Sequence, residues 1–229
     1  MRYARAVLMI LLPAAWRPAF ARRLLGWDVH PTAYIGRSII VAQRVTLGPG
    51  AIIGPWNLIR DLEELRLGAG AQIASRNRIA GLPPGTSVFR HSPNRDPSLV
   101  LDDHAEITVG HEIDCCDRVH LHRHAVIAGV RSQVLTHSLN LVRDRQETGP
   151  VVIGEHSAIM TGCIIASGTC VPARCIVSAG SVVNTKLTRE LTFYRGNPAE
   201  PVRELPARLQ FFRRGENTAS SVGATGPGA

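Results

Sequence analysis

Aliphatic residues recur every six positions along most of this 229-residue chain. Ile35, Val41, Leu47, Ile53 and Ile59 make one run, and Leu67, Ile73 and Ile79 a second after a short offset. The register returns at Leu101, Ile107, Ile113 and Val119, then shifts to Leu121 and Ile127. It is cleanest at Ile153, Ile159, Ile165, Val171, Val177 and Val183. A period of six excludes an amphipathic helix, which needs spacings of three and four. Six is a multiple of the two-residue strand repeat, so it fits short strands broken by turns. The second place of each hexad is often Gly or Ala (Gly36, Ala42, Gly48, Gly54, Gly68, Gly154, Ala166), and the fifth is small or turn-forming (Ala51, Asn57, Asn77, Ser157, Thr169, Ser181). Small residues at fixed points mark tight corners between stacked strands. Self-similarity at a fixed short period marks a repeat architecture of stacked strands.

Composition agrees. Hydrophobic residues make up 45% of the chain but aromatics only 5%, so the core is built from small aliphatic side chains. The five cysteines contain no CxxC pair, which fits a reducing compartment rather than a disulfide framework. Cys163 and Cys175 fall at the small fifth place and Cys115 at an inward place, where they act as filler. A formal charge of +8 suits anionic partners. Nucleic acid is not expected, because the arginines are dispersed and no recognition motif or stacking aromatic cluster accompanies them. The basic N-terminus, with Arg2, Arg5, Arg17, Arg22 and Arg23 and no acid before Asp28, holds an apolar run from Ala6 to Trp16 that is too short to span a bilayer. It has the look of a signal peptide, even to "AFA" at 19–21. The reading adopted is a retained segment lying on anionic lipid, with a helix simply packed on the domain left open.

The hexad pattern resembles the repeat of left-handed parallel β-helix proteins, in which three hexads form one triangular coil of about 18 residues. That resemblance implies an all-β, left-handed parallel β-helix with an N-terminal helical segment and a C-terminal helix. The expected layout is a helical or interfacial lead over 1–28, coils over 29–187, excursions over 82–98 and 137–150, a C-terminal extension with a helix over 188–215, and a disordered tail over 216–229. Proteins of this kind are usually trimers with sites between subunits, so a homotrimer is expected.

Three motifs are similar to those of hexapeptide-repeat acyltransferases such as the maltose, galactoside, Nod-factor and colanic-acid O-acetyltransferases: "LTHSLN" at 135–140, "GPVVIGEHSAIMTGC" at 149–163, and "SAGSVVNTK" with "RGNPAEPVRE" at 178–186 and 195–204. The resemblance implies acetyl-CoA as co-substrate and a cytoplasmic protein that acylates a sugar hydroxyl on a sugar, nucleotide sugar or lipid-linked sugar, with possible peripheral contact at the membrane. A hydroxyl needs a base as it attacks a thioester, and histidine has a suitable pKa. His137 sits where the six-residue rhythm breaks, and the family's catalytic histidine maps to it. Asn140 is the candidate for binding substrate or orienting His137. Coenzyme A contacts map to Thr161, Ala179, Asn184, Lys186 and Arg203. Ala158, Met160 and Glu200 depart from the family pattern, the last putting phosphate binding near Arg203 in question.

Two other readings stay open: a non-catalytic β-helix scaffold, and a zinc enzyme like the carbonic anhydrase of the same fold. "VHLHRH" alternates His120, His122 and His124, and His104 lies 18 residues before His122. The histidine which that anhydrase places before "GC" is Thr161 here, so no metal is expected in the reaction.

Overall fold

A computed structural model describes residues 2–214. The expected disordered tail over 216–229 lies outside them. The chain winds into a left-handed parallel β-helix with three flat faces. The first face stacks Arg78–Ala80, Glu112–Asp114, Gln133–Val134, Ile164–Ile165 and Val182–Val183 in parallel register. The second stacks Ser98–Leu101, Val119–Leu121, Val151–Ile153 and Cys170–Val171. The third runs from Tyr34–Ile35 to Ile176–Val177 and ends on Thr192–Arg195. Two long strands, Ile39–Leu47 and Leu58–Leu67, bend from the first face onto the second without a break.

The inward columns follow the aliphatic hexads. On the third face Ile35, Ile53, Ile73, Ile107, Ile127, Ile159 and Val177 lie over one another, all fully buried. One hexad place is corrected. Val41 pairs with Arg60 on the outer side, and Ile40 takes the inward place against Ile59. A bulge between Val41 and Ala42 absorbs the extra residue and resets the register before Val45.

The corner between the third and first faces carries a buried polar ladder. Asn57 Nδ2 donates to Ala74 O at 2.9 Å, and Asn57 Oδ1 accepts from the main chain and side chain of Asn77. Asn77 Nδ2 donates to Thr108 O at 2.8 Å, and His111 N donates to Asn77 Oδ1 at 2.9 Å. His111 continues the ladder, accepting from Ser132 N at Nδ1 with Nε2 against Thr108 Oγ1. Burial pushes the His111 imidazole down to about 4, so it stays neutral and can accept at Nδ1. Each side chain thus satisfies backbone groups that the turn would otherwise strand.

At the N-terminus the helix Arg2–Leu11 lies on the first coils with Ala6 and Met9 buried. Buried Arg17 ties it down, donating to Leu12 O and to Ile35 O. At the other end the expected C-terminal helix is not formed. Thr192–Arg195 and Glu200–Glu204 make an antiparallel hairpin, followed by one tight helical turn at Gln210–Arg213. Pro198, Pro201 and Pro206 each remove a helix donor, and Phe193 and Tyr194 stack instead on Ile176 and Val177.

Replacing Asn77 by Ala strips His111 N of its acceptor and Thr108 O of its donor. The expected cost is roughly 2–6 kcal/mol, at ~1–3 kcal/mol per stranded buried group, read as a fall in the urea midpoint at unchanged m-value.

Candidate active site

The corner that joins the first face to the second is where the chain departs from its coils. It leaves after Arg78–Ala80, for 81–97, and again after Gln133–Val134, for 135–150. Between those two coils lies one tight corner, Asp114-Cys115-Cys116-Asp117. Both departures fold over it. Arg95 Nη1 donates to Cys116 O at 3.0 Å, Asp96 N donates to Asp117 Oδ1 at 3.1 Å, and Thr148 N donates to Ser92 Oγ at 3.3 Å. The second departure is an antiparallel hairpin, His137–Asn140 with Arg145–Thr148.

His137 opens that hairpin, and its Nδ1 lies 2.6 Å from Asp114 Oδ2. The same oxygen accepts from Thr136 N at 2.8 Å and Thr136 Oγ1 at 3.0 Å, and Asp114 Oδ1 accepts from Cys116 N at 3.0 Å. Burial alone would raise the Asp114 pKa. The bonds from His137, Cys116 and Thr136 overcome it and hold the carboxyl at about 2. Asp114 is therefore a fixed anion, and its bond to His137 raises the imidazole pKa against a smaller opposing effect of burial. The contact sets the tautomer: Nδ1 carries the proton and Nε2 the lone pair. Phe89, from the first departure, meets the ring edge-on at a centroid distance of 5.6 Å, and the Arg95 guanidinium lies over the Phe89 ring at 5.0 Å. Among the described residues no side chain or carbonyl bonds to Nε2.

His137 and Asp114 stand at the end of a groove of about 410 Å³ along the first face. Arg60, Arg78, Glu112 and Gln133 supply its polar lining, and Leu58 and Leu82 part of its apolar wall. That size and mixture suit a small polar molecule.

The remaining candidates divide by corner. Thr161 and Ala179 are exposed neighbours on successive coils, since Ile159 pairs with Val177 and Gly180 N donates to Thr161 O. Neither main-chain N–H donates to a carbonyl among the described residues. The Thr161 hydroxyl is committed to Val130 O at 2.7 Å. Asn184 and Lys186 are exposed and follow Val182–Val183, on the same corner as His137 but further along the helix. Arg203 lies on the terminal hairpin, with its guanidinium over Phe193 at 5.3 Å. Asn140 does not orient His137: its Nδ2 donates to Glu147 Oε2 at 2.8 Å and its Oδ1 accepts from Val142 N and Arg143 N, bonds that shape the hairpin tip.

Sequence reasoning missed Asp114 and Phe89. Asp114 was findable, because it directly follows inward Ile113 and so faces outward one coil before "LTH". Phe89 lies in a stretch without period, and no pattern marks it.

Asp114, Cys116 and His137 are near enough to share a metal ion. They fit one poorly. Asp114 already accepts three bonds at Oδ2 and one at Oδ1, and burial with the neighbouring carboxylate keeps the Cys116 thiol protonated. The other histidines part company. His122 belongs with Asp102, whereas His104, His124 and His156 stack ring on ring at centroid distances of 5.0 and 4.7 Å. His104 therefore lies against His124 and not His122, because this coil has 20 residues rather than 18, as Leu101 pairs with Leu121.

No known family model matches the chain, and no curated protein matches it in sequence. Solved structures do. A point mutant of AntD, an N-acyltransferase from Bacillus cereus, in complex with dTDP-4-amino-4,6-dideoxyglucose and coenzyme A, superposes with a TM-score of 0.57 at 15% identity, over 73% of this chain and 84% of that one. AntD with dTDP and 3-hydroxybutyryl-CoA gives 0.57 at 13%, over 76% and 88%. A hexapeptide-repeat acetyltransferase from Vibrio cholerae complexed with acetyl-CoA gives 0.48 at 21%, over 90% and 87%. At these identities the likeness to AntD establishes a shared fold.

The His137 ring should titrate above 6.5 in a histidine NMR titration. With Asp114→Asn the anion is gone while burial remains, so the midpoint should fall below its wild-type value.

Proposed function

We propose that the protein transfers an acyl group, most simply acetyl, from acyl-coenzyme A to a sugar hydroxyl. The observation that carries this reading is a histidine whose Nδ1 is anchored on a buried carboxylate while its Nε2 stands unbonded at the end of a polar groove. In the proposed reaction Nε2 takes the proton of the attacking hydroxyl as its oxygen bonds to the thioester carbon. The tetrahedral oxyanion then collapses, the C–S bond breaks, and Nε2–H returns its proton to the departing thiolate. Asp114 stabilises the imidazolium that forms between those steps. No acyl-enzyme is involved, since the buried cysteines sit in structural places and carry raised pKa values.

The unused main-chain N–H groups of Thr161 and Ala179 suit the amide-rich arm of coenzyme A, with Asn184, Lys186 and Arg203 toward its polar end. The groove on the other side of His137 takes the acceptor. Arg60 and Arg78 suit the phosphates of a nucleotide sugar, in keeping with the dTDP-sugar bound by AntD. Asn140 acts on the acceptor through the hairpin tip it shapes.

A homotrimer fits the same picture. Leu139, Leu141 and Val142 on that tip are 52%, 82% and 97% exposed, an apolar surface suited to a second copy. The N-terminal segment is read as a peripheral contact with the inner face of the cell membrane, the protein itself being cytoplasmic. No helix among the described residues is long and apolar enough to cross a membrane. Leu8, Leu11, Trp16 and Leu24 are exposed beside Arg5 and Arg23, which favours anionic lipid.

Thiol release from acetyl-CoA, measured over a panel of hydroxyl and amino sugars, free and nucleotide-linked, tests the assignment. His137→Ala should lower turnover at least a hundredfold, within the ~10²–10⁴ range of general-base catalysis. Near-normal turnover in that variant ends the reading, and absence of turnover and of coenzyme A binding in the wild type favours a scaffold. Because neutral His137 is the active form and Asp114 favours the charged one, the wild-type rate should climb with pH through a midpoint above 6.5. Asp114→Asn should move that limb to lower pH and lower the plateau.

A further inference from the structure

At the far edge of the second face from His137, two consecutive coils bring together an imidazole pair and a carboxylate. Val119–Leu121 lies over Leu99–Leu101, which sets His122 beside Asp102. Asp102 Oδ2 is 3.1 Å from His122 Nδ1, and Asp102 Oδ1 is 3.0 Å from His120 Nε2. The two rings lie with centroids 4.2 Å apart. One ligand atom from each of the three residues falls within 4.8 Å of the others.

The contact with His120 is close yet does not form a hydrogen bond, and His120 Nε2 is a buried ring nitrogen without a partner. A buried polar atom left in that state is costly. Proton sharing does not resolve it, because at 3.0 Å the ring N–H direction lies off the line to Asp102 Oδ1. A cation held between the three atoms does, taking a lone pair from each. Two neutral imidazoles and one carboxylate are the donor set of zinc and its first-row neighbours, three protein ligands with an open position. Two nearby cations are already paired, Arg118 with Asp96 and Arg123 with Glu155 at 2.8 Å. Arg66 and Asp103 line the shallow depression that adjoins Asp102.

We propose that Asp102, His120 and His122 form a binding site for a divalent transition-metal ion of the zinc class, separate from the acyl-transfer groove. The site ties two consecutive coils together and plays no part in the proposed transfer, which needs no metal. Because a preformed site binds the folded chain and not the unfolded one, the ion stabilises the fold by mass action.

The experiment is a titration of chelator-stripped, full-length protein with Zn²⁺ by calorimetry and with Co²⁺ by visible absorption. One equivalent per chain is expected, with the intense bands of a low-coordinate cobalt site. Saturating zinc should raise the thermal midpoint by about 5–10 °C for a chain of this size, at roughly a hundredfold excess over the dissociation constant. His122→Ala and Asp102→Asn should each abolish binding and the thermal shift while leaving the circular dichroism spectrum unchanged. His137→Ala should retain both, which separates this site from the Asp114, Cys116 and His137 cluster. Absence of saturable uptake, or uptake that survives Asp102→Asn and His122→Ala, overturns the proposal and leaves a hydrogen-bonded Asp–His pair only. Loss of uptake in His137→Ala overturns it as well.

Discussion

Each coil of this protein exchanges backbone hydrogen bonds with the coil before it and with the coil after it. That stacking fixes the rest. A residue on a face has no freedom, because its neighbours one coil away must keep the same register and the same inward or outward sense. A residue at a corner has some freedom, and only the corner between the first and second faces uses it at length. The chain leaves there twice, from coils on either side of one tight turn, and both departures must lie against that turn. A site made of Asp114, His137 and Phe89 follows from this arrangement, although the three residues are far apart in sequence.

The faces were legible in the sequence because a period of six directly reports which residues point inward. Ile35 to Val183 could be stacked on paper nearly as they stand. The exceptions have local causes that a period does not carry. At Val41 a bulge moves the inward role to Ile40. In the coil from Leu101 to Leu121 two added residues put His104 beside His124 and not His122. The resemblance implies a C-terminal helix, while the prolines within that stretch, and the open end of the third face, favour a hairpin. His137 was legible because it breaks the rhythm. Its partner was not, since Asp114 breaks nothing: it occupies an ordinary outward place, and only the geometry of the next coil makes it special. Asn140 follows His137 closely in sequence, yet closeness in a solenoid is better measured one coil away.

Two aspartates show how the same side chain is put to different ends. Asp114 is saturated: a hydroxyl, two main-chain N–H groups and an imidazole use its acceptor capacity, and it can only hold its partner still. Asp102 is partly used. One oxygen is bonded and the other faces a ring nitrogen with which it forms no bond. Saturation makes a positioning group, and incompletion makes a ligand. The distinction rests on what the neighbouring coil supplies and not on exposure, since neither carboxylate is fully buried or fully open.

The two departures are joined to the coils through a few contacts, chiefly Arg95 with Cys116 and Asp96 with Asp117, and to each other through Thr148 with Ser92. None of the three reaches the aliphatic columns inside. The wall over the groove is thus a detachable part, fastened at its edges. Its length and sequence can be exchanged while the prism beneath keeps its register, so a single scaffold can be refitted for acceptors of different shape without refolding its core.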